Sequence, residues 1–195
     1  VENYHGGAIY FDKEMNDQEF FSLENVVIRD CAAETAGGIV VHRGNLNSVN
    51  VSIFDTYAAH GSAVFSQGES ASVVWTGGIL KGNVATVFSH TLGGTFEVGG
   101  GSAVLRHTTF LENQNQQGFG AGIHTNVPIV IEDCTFEGNH AARGGHDITY
   151  TTYDSNEERS IVLTNNVHDA EDGVLIGLPR SCADNTAVDG PTTLY

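Results

Sequence analysis

The sequence predicts an all-β fold in which the chain winds into a parallel coil of about six to seven turns. Three observations carry this. A short apolar-polar run ending in Asp, Asn or Thr recurs along the chain, as Val27-Ile28-Arg29-Asp30, Ser52-Ile53-Phe54-Asp55, Val130-Ile131-Glu132-Asp133 and Val162-Leu163-Thr164-Asn165. Each copy leads through a Gly/Ala-rich step into a second apolar run, as at Gly7-Ala8-Ile9, Gly37-Gly38-Ile39, Ser62-Ala63-Val64 and Ala121-Gly122-Ile123. Helical periodicity is missing, whereas the 24 glycines suit many short strands joined by turns.

The unit from Ile129 to Ile148 shows how one coil is made. Val130-Ile131-Glu132 alternates as a strand and Asp133-Cys134 bends it. Thr135-Phe136 points a second apolar group inward, Gly138-Asn139 turns again, and Ile148 opens the next strand. Three strands and three turns close the coil. The equivalent residues Ile9, Ile39, Val64, Val87, Ile123, Ile148 and Val174 recur every 23 to 36 residues. That spread is too wide for hexapeptide solenoids, leucine-rich repeats or propeller blades, and a sandwich does not repeat its sequence in this way. Stacking then predicts columns: Ile28, Ile53, Val74, Leu105, Ile131 and Leu163 as an inward aliphatic ladder, and Phe110 with Phe136 as another, with Ile79 at the matching place. Arg106 and Glu132 fall on one outward column as an opposite-charge pair. The stretch Leu92 to Gly101 departs from the pattern and reads as a loop leaving the coil.

These motifs resemble the right-handed parallel β-helix (pectin-lyase-like) proteins, in particular the GGA[ILV]/FxxN repeats of polymorphic outer-membrane proteins. Gly6-Gly7-Ala8-Ile9 matches the first motif fully, and Gly37-Gly38-Ile39-Val40, Gly61-Ser62-Ala63-Val64 and Gly120-Ala121-Gly122-Ile123 match it loosely. Phe110-Leu111-Glu112-Asn113 and Phe136-Glu137-Gly138-Asn139 match the second. The resemblance covers residues 3 to 177 and implies a single-stranded right-handed parallel β-helix. Such coils serve as adhesins, autotransporter passengers, fibre modules, viral spikes and polysaccharide-cleaving enzymes, so the resemblance speaks for fold and carries over no catalytic residue.

Residues 1–177 read as the coil, entered mid-turn and so a piece of something longer; residues 178–195 read as an irregular tail, cap or linker. A formal charge of −16, with only 8 Lys and Arg, argues against nucleic acid and against an anionic membrane surface. No apolar run reaches the ~20 residues of a membrane-spanning helix. Cys31 and Cys134 occupy the same place in their repeats, several coils apart and beyond disulfide reach, and Cys182 has no matching partner.

Candidate chemistry is sparse. Asp30, Asp55 and Asp133, with Asn165, form a polar column in which Asp30 and Asp55 sit one coil apart, near enough to share a Ca²⁺ ion. The same short side chains also suit turns. Arg29, Arg106, Arg143 and Lys81 are candidate bases for lyase chemistry; Arg29 lies beside the Asp30 column, although strand alternation points it away. The nine histidines show no HxH or HxxxH spacing and read as exposed strand or loop residues; His42 and His90 stand two coils apart. Tyr10, Phe65 and Phe88 share one outward position and Trp75 takes another, a possible row for a glycan or a partner. Asn50-Val51-Ser52 is a glycosylation sequon. The function expected is a non-catalytic extracellular or cell-surface module, structural or adhesive. Its partners would be copies of itself or adjoining β-helix segments, through unpaired strand edges at the coil ends. The alternative is a polysaccharide lyase or hydrolase, or a glycan-binding module, of the same fold.

Overall fold

The computed structural model describes residues 7–13, 20–86, 93–151, 161–169 and 173–176. Phe88, His90, Cys182 and the 178–195 tail lie outside the described residues. Among those described there are only strands and turns: β1 (Ile9–Asp12), β2 (Phe21–Glu24) and β3 (Val27–Arg29) open the fold. Three coils of four strands follow. They are β4 (Ile39–Val49), β5 (Ser52–Phe54), β6 (Tyr57–Ala58) and β7 (Val64–Ser66); β8 (Ala71–Thr76), β9 (Ile79–Lys81), β10 (Val84–Ala85) and β11 (Phe96–Val98); and β12 (Ser102–Arg106), β13 (Thr109–Leu111), β14 (Gln114–Asn115) and β15 (Ile123–Thr125). The last full coil is β16 (Ile129–Glu132), β17 (Thr135–Glu137), β18 (His140–Ala141) and β19 (Ile148–Tyr150), and β20 (Ile161–Thr164), β21 (Val167–His168) and β22 (Val174–Ile176) begin another.

Every strand pairs in parallel with its counterpart one coil away, giving a parallel β-solenoid of about five turns. The count falls below the six to seven expected because the first and last coils contribute only part of a turn among the described residues. Four stacks line the coil. Face 1 holds β2, β4, β8, β12, β16 and β20; face 2 holds β3, β5, β9, β13, β17 and β21. Face 3 is the narrow stack β6, β10, β14 and β18; face 4 holds β1, β4, β7, β11, β15, β19 and β22. The long strand β4 runs from face 4 into face 1, with Gly44 at φ 97 where it bends.

The ladders are real, but their membership differs from the sequence reading. Ile28 and Ile53 stack on Leu80, Phe110, Phe136 and His168 in face 2. Leu105, Ile131 and Leu163 belong to face 1, where they continue from Ser48 and Trp75. The predicted single ladder therefore splices two faces, because each coil carries the same apolar-x-apolar-x-turn pattern twice. Val74 points outward and Trp75 takes the inward place. Ile79 likewise pairs with Thr109 and faces out, leaving Leu80 beneath Phe110. In face 4 the ladder Ile9, Ile39, Val64, Ile123, Ile148, Val174 holds, with Phe96 in the place given to Val87, which lies outside the described residues. The stretch read as a departing loop thus contains β11 and is part of the coil. Burying each large apolar side chain in these ladders contributes roughly 1.5–3 kcal/mol.

The corners explain the recurring Asp and Asn. At the turn from face 1 to face 2, Asn25, Asn50, His107, Asp133 and Asn165 all have φ of 52 to 53°, with Gly77 at 72°. At the turn from face 2 to face 3, Asp30, Asp55 and Glu112 have φ of 53 to 55°, with Gly82 and Gly138 at 65 and 62°. The left-handed region is tolerated best by Gly, Asn and Asp, so the corner itself selects these residues. The predicted column Asp30, Asp55, Asp133, Asn165 separates into these two corners. Cys31 and Cys134 separate the same way. Each is a free thiol whose Sγ lies over the carbonyl two residues back, Arg29 O at 3.2 Å and Glu132 O at 3.4 Å. Burial, with the neighbouring carboxylates, pushes the Cys134 thiol up to about 11.

Inside the second corner an asparagine ladder closes the core. Asn83 Nδ2 donates to Asn113 Oδ1 at 3.0 Å, and Asn113 Nδ2 donates to Asn139 Oδ1 at 3.0 Å. Their second amide hydrogens reach Ile53 O, Leu80 O and Phe110 O of the coil below. The ladder ends on the carboxylate of Asp147, which accepts from Asn139 at 3.1 Å and meets His168 Nδ1 at 2.9 Å. Beside it, the rings of Phe110, Phe136 and His168 stack at 4.9 Å spacings. Replacing Asn113 by Ala strips the Asn83 backbone and side-chain amides of their buried acceptor. That change is expected to destabilise the fold by about 2–4 kcal/mol. Urea unfolding checks it, with the exposed neighbour Gln114→Ala within about 0.5 kcal/mol of the parent.

Candidate functional site

A hollow on the outer side of face 2 gathers charged side chains. It is lined by Arg29, Asp30, Phe54, Asp55 and Lys81. Its residues come from three successive coils. Arg29 pairs with Phe54 across β3 and β5, and Phe54 with Lys81 across β5 and β9. Asp30 and Asp55 project from the corner beside them, locked one coil apart by Asp30 N donating to Phe54 O at 3.2 Å and Asp55 N to Lys81 O at 3.0 Å. The guanidinium carbon of Arg29 stands 5.9 Å from the centre of the Phe54 ring, and Lys81 Nζ lies 3.1 Å from Glu112 Oε2. The hollow therefore offers two carboxylate acceptors, two cationic donors and an aromatic ring. Arg29 and Asp30 do line one hollow, although alternation suggested otherwise: the corner at φ 55 resets the direction of the chain. From the sequence Lys81 stands out only as one of several candidate bases, and Phe54 not at all; the only signal joining them is their spacing of one coil.

The predicted aromatic row does not form as read. Tyr10 is 47 % exposed, but Val40 separates it from Phe65 in the same column, and Glu97 follows Phe65. Phe65 is only 5 % exposed, and Trp75 is fully buried, edge-on to Phe96 at 5.6 Å. Phe88 lies outside the described residues. Asn50 is exposed at its corner and donates from Nδ2 to Asn25 Oδ1 at 2.8 Å. Among the described residues no three His, Cys, Asp or Glu side chains gather to hold a metal ion. Asp30 and Asp55 are a stacked pair with a turn role, and Ca²⁺ requires six to eight oxygens.

Face 4 hides what its sequence suggested would be an exposed column. The turns before β7 and β15 double back over the outer side, with Gly61 and Gly120 in left-handed conformations at φ 41 and 67. A Cβ on either would collide with the carbonyl of the strand it covers. Beneath these turns lie Val40, Phe65, Glu97, His124 and Thr149. Glu97 Oε2 accepts from Gly61 N at 2.9 Å and Gly93 N at 3.1 Å, so one side chain ties two turns to the sheet. Burial drives its carboxyl up to about 8, against the opposing effect of those two amides. His124, its neighbour in register, is 3 % exposed with Nε2 2.8 Å from Thr151 Oγ1; burial lowers it to about 4. His60, stacked on Phe65 at 6.1 Å, is also lowered by burial. These histidines correct the expectation of an exposed set, because the covering turns are invisible to strand alternation.

Comparison of the chain with protein-family models, with curated proteins and with solved structures finds no match.

Glu97 yields a pH signature. Its folded value lies above the ordinary carboxyl value of 4.5, so the folded state holds a proton that the unfolded chain releases. The stability it permits is full below pH 4.5 and declines as pH rises from 4.5 to about 8, beyond which the burial penalty is complete. Glu97→Gln keeps an acceptor for both amides and removes the titration. Between pH 6.5 and 8, where His124 is mostly neutral in the folded and unfolded chain alike, the decline in melting temperature should then lose most of its slope, with the variant the more stable above pH 8. An unchanged slope refutes the assignment.

Proposed function

We propose that this protein is a non-catalytic structural or adhesive module of the cell surface or extracellular space, and that further coils add to its ends. The observation that carries this reading is the open stacking edge. Among the described residues, β20, β21 and β22 pair on one side only, and so do β1, β2 and β3 at the opposite end. Each edge strand presents unpaired backbone groups that another parallel strand can complete, from adjoining sequence or from a second copy. The FxxN-type positions Phe110 to Asn113 and Phe136 to Asn139 support a kinship in design with polymorphic outer-membrane repeats, since both their rings and their amides stack from coil to coil. Nearly every recurrent side chain is spent on a ladder or a corner, which suits a scaffold.

One observation favours a second reading, a carbohydrate-binding or polysaccharide-cleaving role: the hollow around Phe54. An aromatic ring flanked by Arg29, Lys81, Asp30 and Asp55 can hold a sugar ring and its hydroxyls. Two measurements separate the readings. Electron microscopy of the protein in its native assembly is expected to show rods with a spacing of about 4.8 Å along the axis. Saturable glycan binding or release of unsaturated sugars, abolished by Arg29→Ala, together with a monodisperse short particle, would overturn the scaffold reading.

A further inference from the structure

The outer surface of face 1 carries a bounded apolar stripe. Val74, Val104, Val130 and Val162 stack in register on four successive coils and point away from the core, each partly exposed. Asn47 ends the stripe on the next strand. Parallel to it runs a second outward column, Thr76, Arg106, Glu132 and Thr164, in which Arg106 Nε and Glu132 Oε2 lie 2.6 Å apart. Ser72 and Ser102 border the valines on the other side. Over these four coils both columns are palindromic in chemistry, four valines and Thr-Arg-Glu-Thr with opposite charges at the centre; the second column continues past Thr76 to Val49 and Glu24.

We propose that this face is a lateral self-association surface, on which a second copy of the chain docks with its coil axis antiparallel to the first. A two-fold axis along the strand direction, midway between β12 and β16, sets β12 opposite β16 of the other copy. Val104 then meets Val130, Val74 meets Val162, and Arg106 of each copy faces Glu132 of the other. Rotation about an axis parallel to the coil, through the valine stripe, instead sets Val104 on Val104 and leaves Arg106 opposite Ser102 and Glu132 opposite Pro128, with no facing ion pairs. Charge complementarity therefore selects one orientation, and the contact is isologous, as closed dimers require. Aligned sheets pack about 10 Å apart, a distance that facing valines fill. The stripe spans about 14 Å along the axis and is one side chain wide, so the area it covers falls well short of the roughly 800 Å² per partner of a stable dimer. The contact is thus a weak one that gains strength when several copies are held side by side along rods.

The surface is perpendicular to the coil ends, so the proposal stands apart from end-to-end addition. Sedimentation equilibrium of the whole chain at submillimolar concentration should show a weight-average mass rising above 20.7 kDa. Val130→Asp and Glu132→Arg should each weaken that rise, by about tenfold or more in dissociation constant, without changing the melting temperature appreciably. The double exchange Arg106→Glu with Glu132→Arg should restore it, because the facing pairs are again of opposite sign. Orientation is read by mild oxidation of Val104→Cys mixed with Val130→Cys, followed by mass spectrometry of the linked peptides. The mixture should give a 104–130 disulfide, and neither variant alone should link to itself through the new cysteine. A mass that stays at 20.7 kDa overturns the proposal. So does association indifferent to Val130→Asp and Glu132→Arg, or self-linkage of Val104→Cys. Rods that persist in Val130→Asp while lateral pairs vanish leave end-to-end addition untouched.

Discussion

In-register parallel pairing between successive coils is the constraint from which the rest of the structure follows. A parallel strand hydrogen-bonds to the coil below and the coil above, so a residue's neighbours are its own counterparts. Interactions that repeat well are therefore amplified. Phenyl rings stack face to face at 4.9 Å, and asparagine amides chain donor to acceptor at 3.0 Å. A charge would repel its copy, and on face 1 Arg106 is set instead against Glu132. The same logic ends the asparagine ladder on Asp147, whose carboxylate accepts what the last amide donates.

The corners impose the second constraint. Each turn off a flat face costs one residue in the left-handed region, and this recurs in every coil. The cost is small for Asp30, Asp55, Asn50 or Asn165, and glycine avoids it at Gly77, Gly82 and Gly138. His107 and Glu112 hold the same conformation with bulkier side chains, a strain of roughly 1–2 kcal/mol each that the pairing on both sides sustains. Asparagine thus accumulates at one edge of the coil and acidic residues at the other for a conformational reason. A row of carboxylates along such an edge is a product of backbone geometry before it is a site.

Buried polarity beneath covering turns makes face 4 more than the wall of a tube. Face 4 is covered by its own turns, and Glu97 reaches the amides of Gly61 and Gly93 beneath them. A neutral carboxyl is well suited there, since it accepts those hydrogen bonds without the full cost of a buried charge. Among the described residues the outer sides of faces 1 and 2 keep no such cover, and it is on them that the valine stripe and the hollow around Phe54 lie.

The sequence by itself determined the architecture, because a parallel coil writes its period into the chain. The ladder of Ile39, Val64, Ile123 and Ile148, the Arg106–Glu132 pair and the Phe110 over Phe136 stack were all legible from spacing alone. What it could not assign was the face to which each repeat belongs. Val130-Ile131-Glu132-Asp133 and Ser52-Ile53-Phe54-Asp55 look equivalent as strings, yet one occupies face 1 and the other face 2. Hence the aliphatic column, the aspartate column and the cysteine pair were each spliced from two places. Nor could alternation reveal that Trp75 turns inward, that doubled-back turns bury Phe65, Glu97 and His124, or that Lys81 arrives beside Arg29 from two coils away. Those facts depend on which strand follows which corner, a sum of insertions along the whole coil. Only closing the coils against one another fixes that sum, because hydrogen-bond register is a property of pairs of strands and no single strand carries it.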